Sequence, residues 1–204
     1  MLSYLDPILF PDQIEILEVS PGRYVYPIYK NGSGLLTDAN NFRRLNYFEI
    51  RDIRTVEVFV RDPFDRYVSG VQTYLRFNPD LDRTTALKMI NQCLFLNRHF
   101  ALQFHWLVNL TRFTDAWIHI RPIKELDTIS DEVWHTLSRD QSLIDYFTPN
   151  DKLSYYLQLD KVLTEDLLGK TVSFPAIMRH IKKTQQHLYD EIIQRSKNLC
   201  IALG

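Results

Sequence analysis

Residues Thr55 to Ser69 read TVEVFVRDPFDRYVS, and a strand, a turn and a helix start follow one another within them. Thr55 to Val60 is nearly continuous in β-branched and aromatic side chains, which is strand composition. The run passes directly into Arg61-Asp62-Pro63. Asp62 offers a carboxylate to the free amides of a helix N-terminus, and Pro63 suits the first helical position because its missing N–H is not needed there. A helix from Pro63 to about Phe77 is therefore predicted.

On the amino-terminal side, residues 23–28 (RYVYPI) follow the turn signal Pro21-Gly22 and end at Lys30-Asn31-Gly32-Ser33-Gly34. This predicts a second strand and a tight loop. Residues 35–48 carry apolar side chains at Leu35, Leu36, Ala39, Phe42 and Leu45, the spacing of a helical face. On the carboxyl-terminal side, Asn78-Pro79-Asp80 breaks the chain, and residues 84–110 have a helical pattern, as two helices meeting near 97–100. Residues 115–120 (DAWIHI) predict a third strand, closed by Arg121-Pro122. From Lys124 the chain predicts helices interrupted at 148–150 and at Gly169, ending in a long amphipathic helix over 175–199. Strands alternating with helices predict an α/β fold, with a central, mostly parallel sheet flanked by helices and a helix-rich carboxyl-terminal half.

A chain of 204 residues buries one substantial core, so 1–204 is expected to be a single domain. A formal net charge of −1 supplies no global basic field, which argues against non-specific nucleic-acid binding and makes any anion site local. Cys93 and Cys200 lie far apart with no metal-ligand spacing, and two free thiols are the expected state. The first residues, MLSYLDPILFPDQIEIL, have no basic start and are broken by Asp6, Pro7 and Pro11, so they do not read as a signal peptide. No stretch approaches the roughly 20 apolar residues of a membrane span. A soluble, cytoplasmic chain is the expectation.

Two segments carry chemistry. A strand turning through Lys30-Asn31-Gly32-Ser33-Gly34 into a helix presents amides, a hydroxyl and an ammonium to one point, which is an anion cradle. It is not a Walker A loop, because the lysine precedes the glycine. Arg61 stands at the carboxyl end of a strand, where open α/β sheets bind ligands, and Ser69 follows two helical turns later. Guanidinium and hydroxyl together suit a second phosphate. Taken singly, each segment also fits an ordinary turn, in which Arg61 pairs with Asp65 and Ser69-Gly70 permits close helix packing.

Together the two segments resemble the sulfotransferase superfamily, in particular its carbohydrate branch, whose second phosphate motif has the form R-D-P-F-x-R-x-x-S; RDPFDRYVS at Arg61 to Ser69 is similar to it. The resemblance implies a P-loop-like sulfotransferase fold that binds 3′-phosphoadenosine 5′-phosphosulfate as sulfuryl donor. It implies that Lys30, Gly32 and Ser33, helped by the amide of Asn31 and by Gly34, hold the 5′-phosphosulfate, and that Arg61 and Ser69 hold the 3′-phosphate. A second hydroxyl often stands in the family where this chain has Gly34. Residues 97–103 (NRHFALQ) look like the family's H-F-x-P-Q segment, with Leu102 in place of the proline. His99 is the implied general base toward a hydroxyl acceptor of carbohydrate class, with His105 as second candidate; a histidine in an aromatic-rich segment is equally a satisfied core residue. Lys30 would stabilise the leaving oxygen. No metal is expected. Two rivals predict other behaviour: a nucleotide-binding module without chemistry, and a P-loop kinase-like protein that prefers ATP with magnesium.

Overall fold

The computed structural model describes residues 14–33, 36, 42–80, 82, 84, 99, 101–126, 157–190 and 193. Strand β1 (Leu17–Ser20) turns back into β2 (Arg23–Val25), and β3 (Arg43–Arg44) leads to helix α1 (Tyr47–Asp52). Strand β4 (Thr55–Val60) feeds helix α2 (Pro63–Phe77). Helix α3 (Gln103–Leu110), strand β5 (Trp117–Pro122), a π-helical turn (Val162–Asp166), strand β6 (Thr171–Val172) and helix α4 (Phe174–Thr184) complete the described elements.

The α/β architecture follows the sequence, but the sheet is mixed. Its order is β3-β1-β2-β4-β5-β6. The centre β2-β4-β5 is parallel, whereas β1 pairs antiparallel with both β2 and β3, and β6 antiparallel with β5. Hairpin β1-β2 turns at Gly22, which has φ of 75°. That left-handed conformation is open to glycine and costly for residues with a Cβ.

Strand β4 occupies the span expected for it and is paired along its whole length with β5, from Thr55 opposite Trp117 to Val60 opposite Pro122. Strand β5 starts two residues later than DAWIHI suggests, because the Ala116 amide is bound by the Thr114 hydroxyl at 3.2 Å and the ladder begins only at Trp117. The helix expected over 35–48 is not continuous. Arg43–Arg44 pairs with β1, and Asn46 starts a new helix with a capping box: it accepts from Phe48 N and Glu49 N while Glu49 accepts from Asn46 N. The helix expected over 175–199 breaks after Thr184 at Gln185, whose φ of −140° and ψ of 61° are not helical. Cys93, Cys200 and the interruption expected at 148–150 lie outside the described residues.

Alternation along β4 divides the core. Val56, Val58 and Val60, with Ile118 and Ile120 of β5, pack against Phe104 and Leu107 of α3 and Ile177 and Ile181 of α4. Phe59 and Val25 face the other side, with Leu36 and Leu126. Each such side chain, wholly removed from water, contributes about 1.5–3 kcal/mol before entropy is counted. On the Phe59 side, Glu57 binds Arg23 of β2 at 2.9 Å and Arg121 of β5 at 2.9 Å, tying the three parallel strands together. Burial works to raise the Glu57 carboxyl, and the hydrogen bonds of Arg23 and Arg121 outweigh it, so the group lies below the ordinary carboxylate value. None of the helices, among the described residues, is long and apolar enough to cross a membrane.

Candidate anion site at the carboxyl ends of two parallel strands

Strands β2 and β4 are parallel neighbours, so the segments that leave them emerge at the same end of the sheet. This topology brings Lys30 and Arg61 together, although they are 31 positions apart in sequence. The Arg61 guanidinium approaches the Lys30 carbonyl at 3.5 Å, a long and weak contact.

The first loop turns tightly. Asn31 N donates to the Ile28 carbonyl at 3.0 Å, and Leu36 N donates to the Gly32 carbonyl at 3.2 Å, an i to i+4 bond that opens helical structure at Ser33. Lys30 and Gly32 both have positive φ, 69° and 74°. Glycine accepts this conformation, but a lysine there is strained, and non-glycine residues in such positions concentrate where a backbone must meet a ligand. The Lys30 ammonium donates to the Thr73 hydroxyl at 2.6 Å, and that hydroxyl donates to the Ser69 carbonyl at 3.0 Å. Lys30 therefore lies against the face of α2 that carries Ser69, Thr73 and Arg76, spaced i, i+4, i+7.

Electrostatics agree with the geometry. Burial, reinforced by the positive charges of Arg61, Arg76 and Arg66, holds the Lys30 ammonium below its ordinary value. Burial likewise lowers Arg61, against the pull of Asp65 and Asp62. Like charges gathered in a partly desolvated place repel one another, and a bound anion would relieve that repulsion. Asp62 itself is used as the cap: its carboxylate accepts from Asp65 N at 2.9 Å.

Asn31 is corrected by the structure. Its amide is engaged by Ile28, and its side chain, 1% exposed, donates to the Phe59 carbonyl at 2.8 Å and to Gln103 Oε1 at 2.6 Å. Asn31 therefore holds the loop to the sheet and has no free N–H for a ligand. Arg66, the second arginine of RDPFDR, is similarly structural. It is buried and donates to the carbonyls of Tyr29 and Ala101. Burial pulls its guanidinium down to about 10, with Asp160 opposing and Arg61 adding to the shift.

His99 lies at this end of the molecule. Its ring centroid is 5.4 Å from that of Tyr29, the residue before Lys30, and 6.2 Å from that of Phe77 at the end of α2. His105 is on α3 and 1% exposed, enclosed by packing and shut off from a dissolved acceptor. Gly34 lies outside the described residues. Among the described residues no group of three His, Cys, Asp or Glu side chains could hold a metal ion.

Sequence reasoning missed Thr73, Gln103 and Asp160. Thr73 was detectable, since it repeats Ser69 one helical turn on. Gln103 closes the NRHFALQ segment but gives no sign of its partners. Asp160 accepts from Gln103 N at 2.7 Å and from Phe104 N at 2.8 Å, capping α3 across 57 residues of chain, and no local pattern marks such a contact. Burial raises its carboxyl to about 6, with Arg66 and the two amides pulling the other way. No family model, curated protein or solved structure matches this chain.

Proposed function

We propose that the chain is a sulfotransferase that uses 3′-phosphoadenosine 5′-phosphosulfate and delivers the sulfuryl group to a hydroxyl acceptor of carbohydrate type. The observation that carries the reading is the meeting of Lys30 and Arg61 at the carboxyl ends of adjacent parallel strands, within a cluster of positive charge. The residues fit a bisphosphate: one loop has a lysine and a glycine in left-handed conformation, and the other has an arginine followed by the Ser69 face of a capped helix. Such pairs of cationic and hydroxyl groups bind phosphate oxygens strongly in a partly buried site.

When bound, the donor supplies an activated sulfuryl group on its 5′-phosphate. Lys30, released from Thr73, places its ammonium where charge grows on the leaving oxygen, and positioned charge is the main source of rate in group transfer of this kind. Ser33 and the start of its helix orient the 5′-side, while Arg61 and Ser69 anchor the 3′-side, so that remote binding energy fixes the reacting end. His99, beside Tyr29 and Phe77, takes the acceptor proton.

Calorimetric titration with adenosine 3′,5′-bisphosphate, with ATP and magnesium as control, tests the nucleotide site. Micromolar binding lost in Arg61→Ala and Lys30→Ala and not shared by ATP is expected; no binding by the folded chain would overturn the reading. Transfer of labelled sulfate to a panel of sugars then separates an enzyme from a protein that only binds the nucleotide.

A further inference from the structure

One side chain joins both anion-binding segments. Gln103, the first residue of α3, is fully buried. Its Oε1 accepts from the Arg61 amide at 2.9 Å and from Asn31 Nδ2 at 2.6 Å, and its Nε2 donates to the Arg61 carbonyl at 2.9 Å. The carboxamide thus binds both backbone polar groups of Arg61 as a neighbouring strand would, and it holds the first loop through Asn31. Asn31 in turn donates to the carbonyl of Phe59 on β4, closing the ring of contacts. Gln103 cannot swing away without leaving these buried groups unsatisfied. Its own backbone is fixed by Asp160, which accepts from Gln103 N and Phe104 N. A second buried side chain runs in parallel: Arg66 ties the Tyr29 carbonyl to that of Ala101.

We infer that Gln103 is a positioning residue that clamps the two anion-binding segments at a fixed separation, so that the site selects its ligand by the spacing between two phosphate groups. The clamp stands on the geometry alone; the selectivity rests on the nucleotide reading proposed above. A rigid pair of anchors favours a ligand whose phosphates match the gap, and a loosened pair adapts to either of two isomers, losing discrimination more than binding. Adenosine 3′,5′-bisphosphate and its 2′,5′ isomer have the same charge and the same base and differ only in that spacing.

The test compares the full chain with Gln103→Met, which keeps the length of the side chain and removes its hydrogen bonds, and with Asn31→Ala, which cuts only one arm. Hydrogen exchange is followed without ligand at residues 28–33 and 59–63, and affinities are measured for the two isomers. In the native chain a preference for the 3′,5′ isomer of about tenfold or more is expected, the effect of one hydrogen bond to a charged group lost with the mismatched phosphate. Gln103→Met should speed exchange in both segments together and bring the two affinities to within about twofold of each other. Asn31→Ala should speed exchange in the first segment alone. A folded Gln103→Met that keeps native protection, or native isomer preference, would overturn the proposal. If Gln103→Met does not fold, Asn31→Ala decides: its isomer preference must fall while residues 59–63 stay protected, and an unchanged preference counts against the clamp. If the intact chain binds neither isomer, the nucleotide reading and the selectivity fall together, and the exchange comparison still decides the clamp.

Discussion

Lys30, proposed to meet the anion, occupies a backbone conformation that is costly for its residue type. Its φ of 69° places a Cβ in the left-handed region, which costs about 1 kcal/mol relative to glycine. Lys30→Gly and Lys30→Ala should therefore lose bisphosphate binding alike, while Lys30→Gly is more stable than Lys30→Ala by about 1 kcal/mol in urea denaturation. Equal stabilities would mean that the loop relaxes when the lysine is removed. The charge of the same residue gives a pH signature. Burial and the neighbouring Arg61, Arg76 and Arg66 lower its pKa in the free chain, and a bound anion favours the charged form and raises it. The complex then holds more protons than the free chain, so binding takes up protons and weakens as pH rises through the lowered lysine pKa. Calorimetry in buffers of different ionisation enthalpy, repeated at rising pH, should detect this uptake, and Lys30→Ala should abolish it. Lys30, Arg61 and Ser69 stand out in the sequence as candidates because their chemistry follows from residue type and from position after a strand, and the fold brings them to one end of the sheet. The part of Asn31 does not stand out, since only the fold shows that its N–H groups are already taken.

At the scale of elements, two caps make a useful contrast. Asp62 caps α2, which carries Ser69 and Thr73 toward Lys30, and Asn46 caps α1, which precedes the amino end of β4. Either cap changed to alanine should cost about 1 kcal/mol of stability. Asp62→Ala should also weaken bisphosphate binding several-fold, whereas Asn46→Ala should leave it unchanged; a thermal melt paired with a titration of each variant checks both statements. Helix α2 was legible because its start is written in consecutive residues, a buried strand followed by Asp and Pro. The helical spacing of 35–48 misleads for a physical reason. Leu36 and Phe42 pack into the core on one side of the sheet and Leu45 on the other, so their helical spacing does not describe one buried face. Arg43–Arg44 becomes a strand only because β1 is there to pair with it.

For the whole molecule, the decisive link is Asp160, which joins the carboxyl-terminal part of the chain to α3 and thereby, through Gln103, to the segments that carry Lys30 and Arg61. Its carboxyl is raised to about 6 by burial. A raised carboxyl means that the native state holds its proton where the unfolded chain, with an ordinary value near 4, has released it. Its contribution to stability is therefore greatest at low pH and declines as pH rises from about 4 to about 6, at up to about 1.4 kcal/mol per pH unit. Urea midpoints of the native chain and Asp160→Asn across that window should show the native chain gaining on the variant as pH falls; a constant gap would mean that the carboxyl titrates in its ordinary range. The α/β class, strand β4 and the capped start of α2 are legible in the chain itself, because strand composition, capping and charge are settled among neighbouring residues; the same local chemistry picks out the two segments proposed to bind an anion. Long-range packing alone gives the sheet its antiparallel edges, engages Asn31 and Arg66 with backbone carbonyls, and sets Gln103 and Asp160 to hold the loops in place. Those outcomes depend on which buried polar groups meet across distant parts of the chain, and burial without water forces each of them to find a partner that no local pattern records.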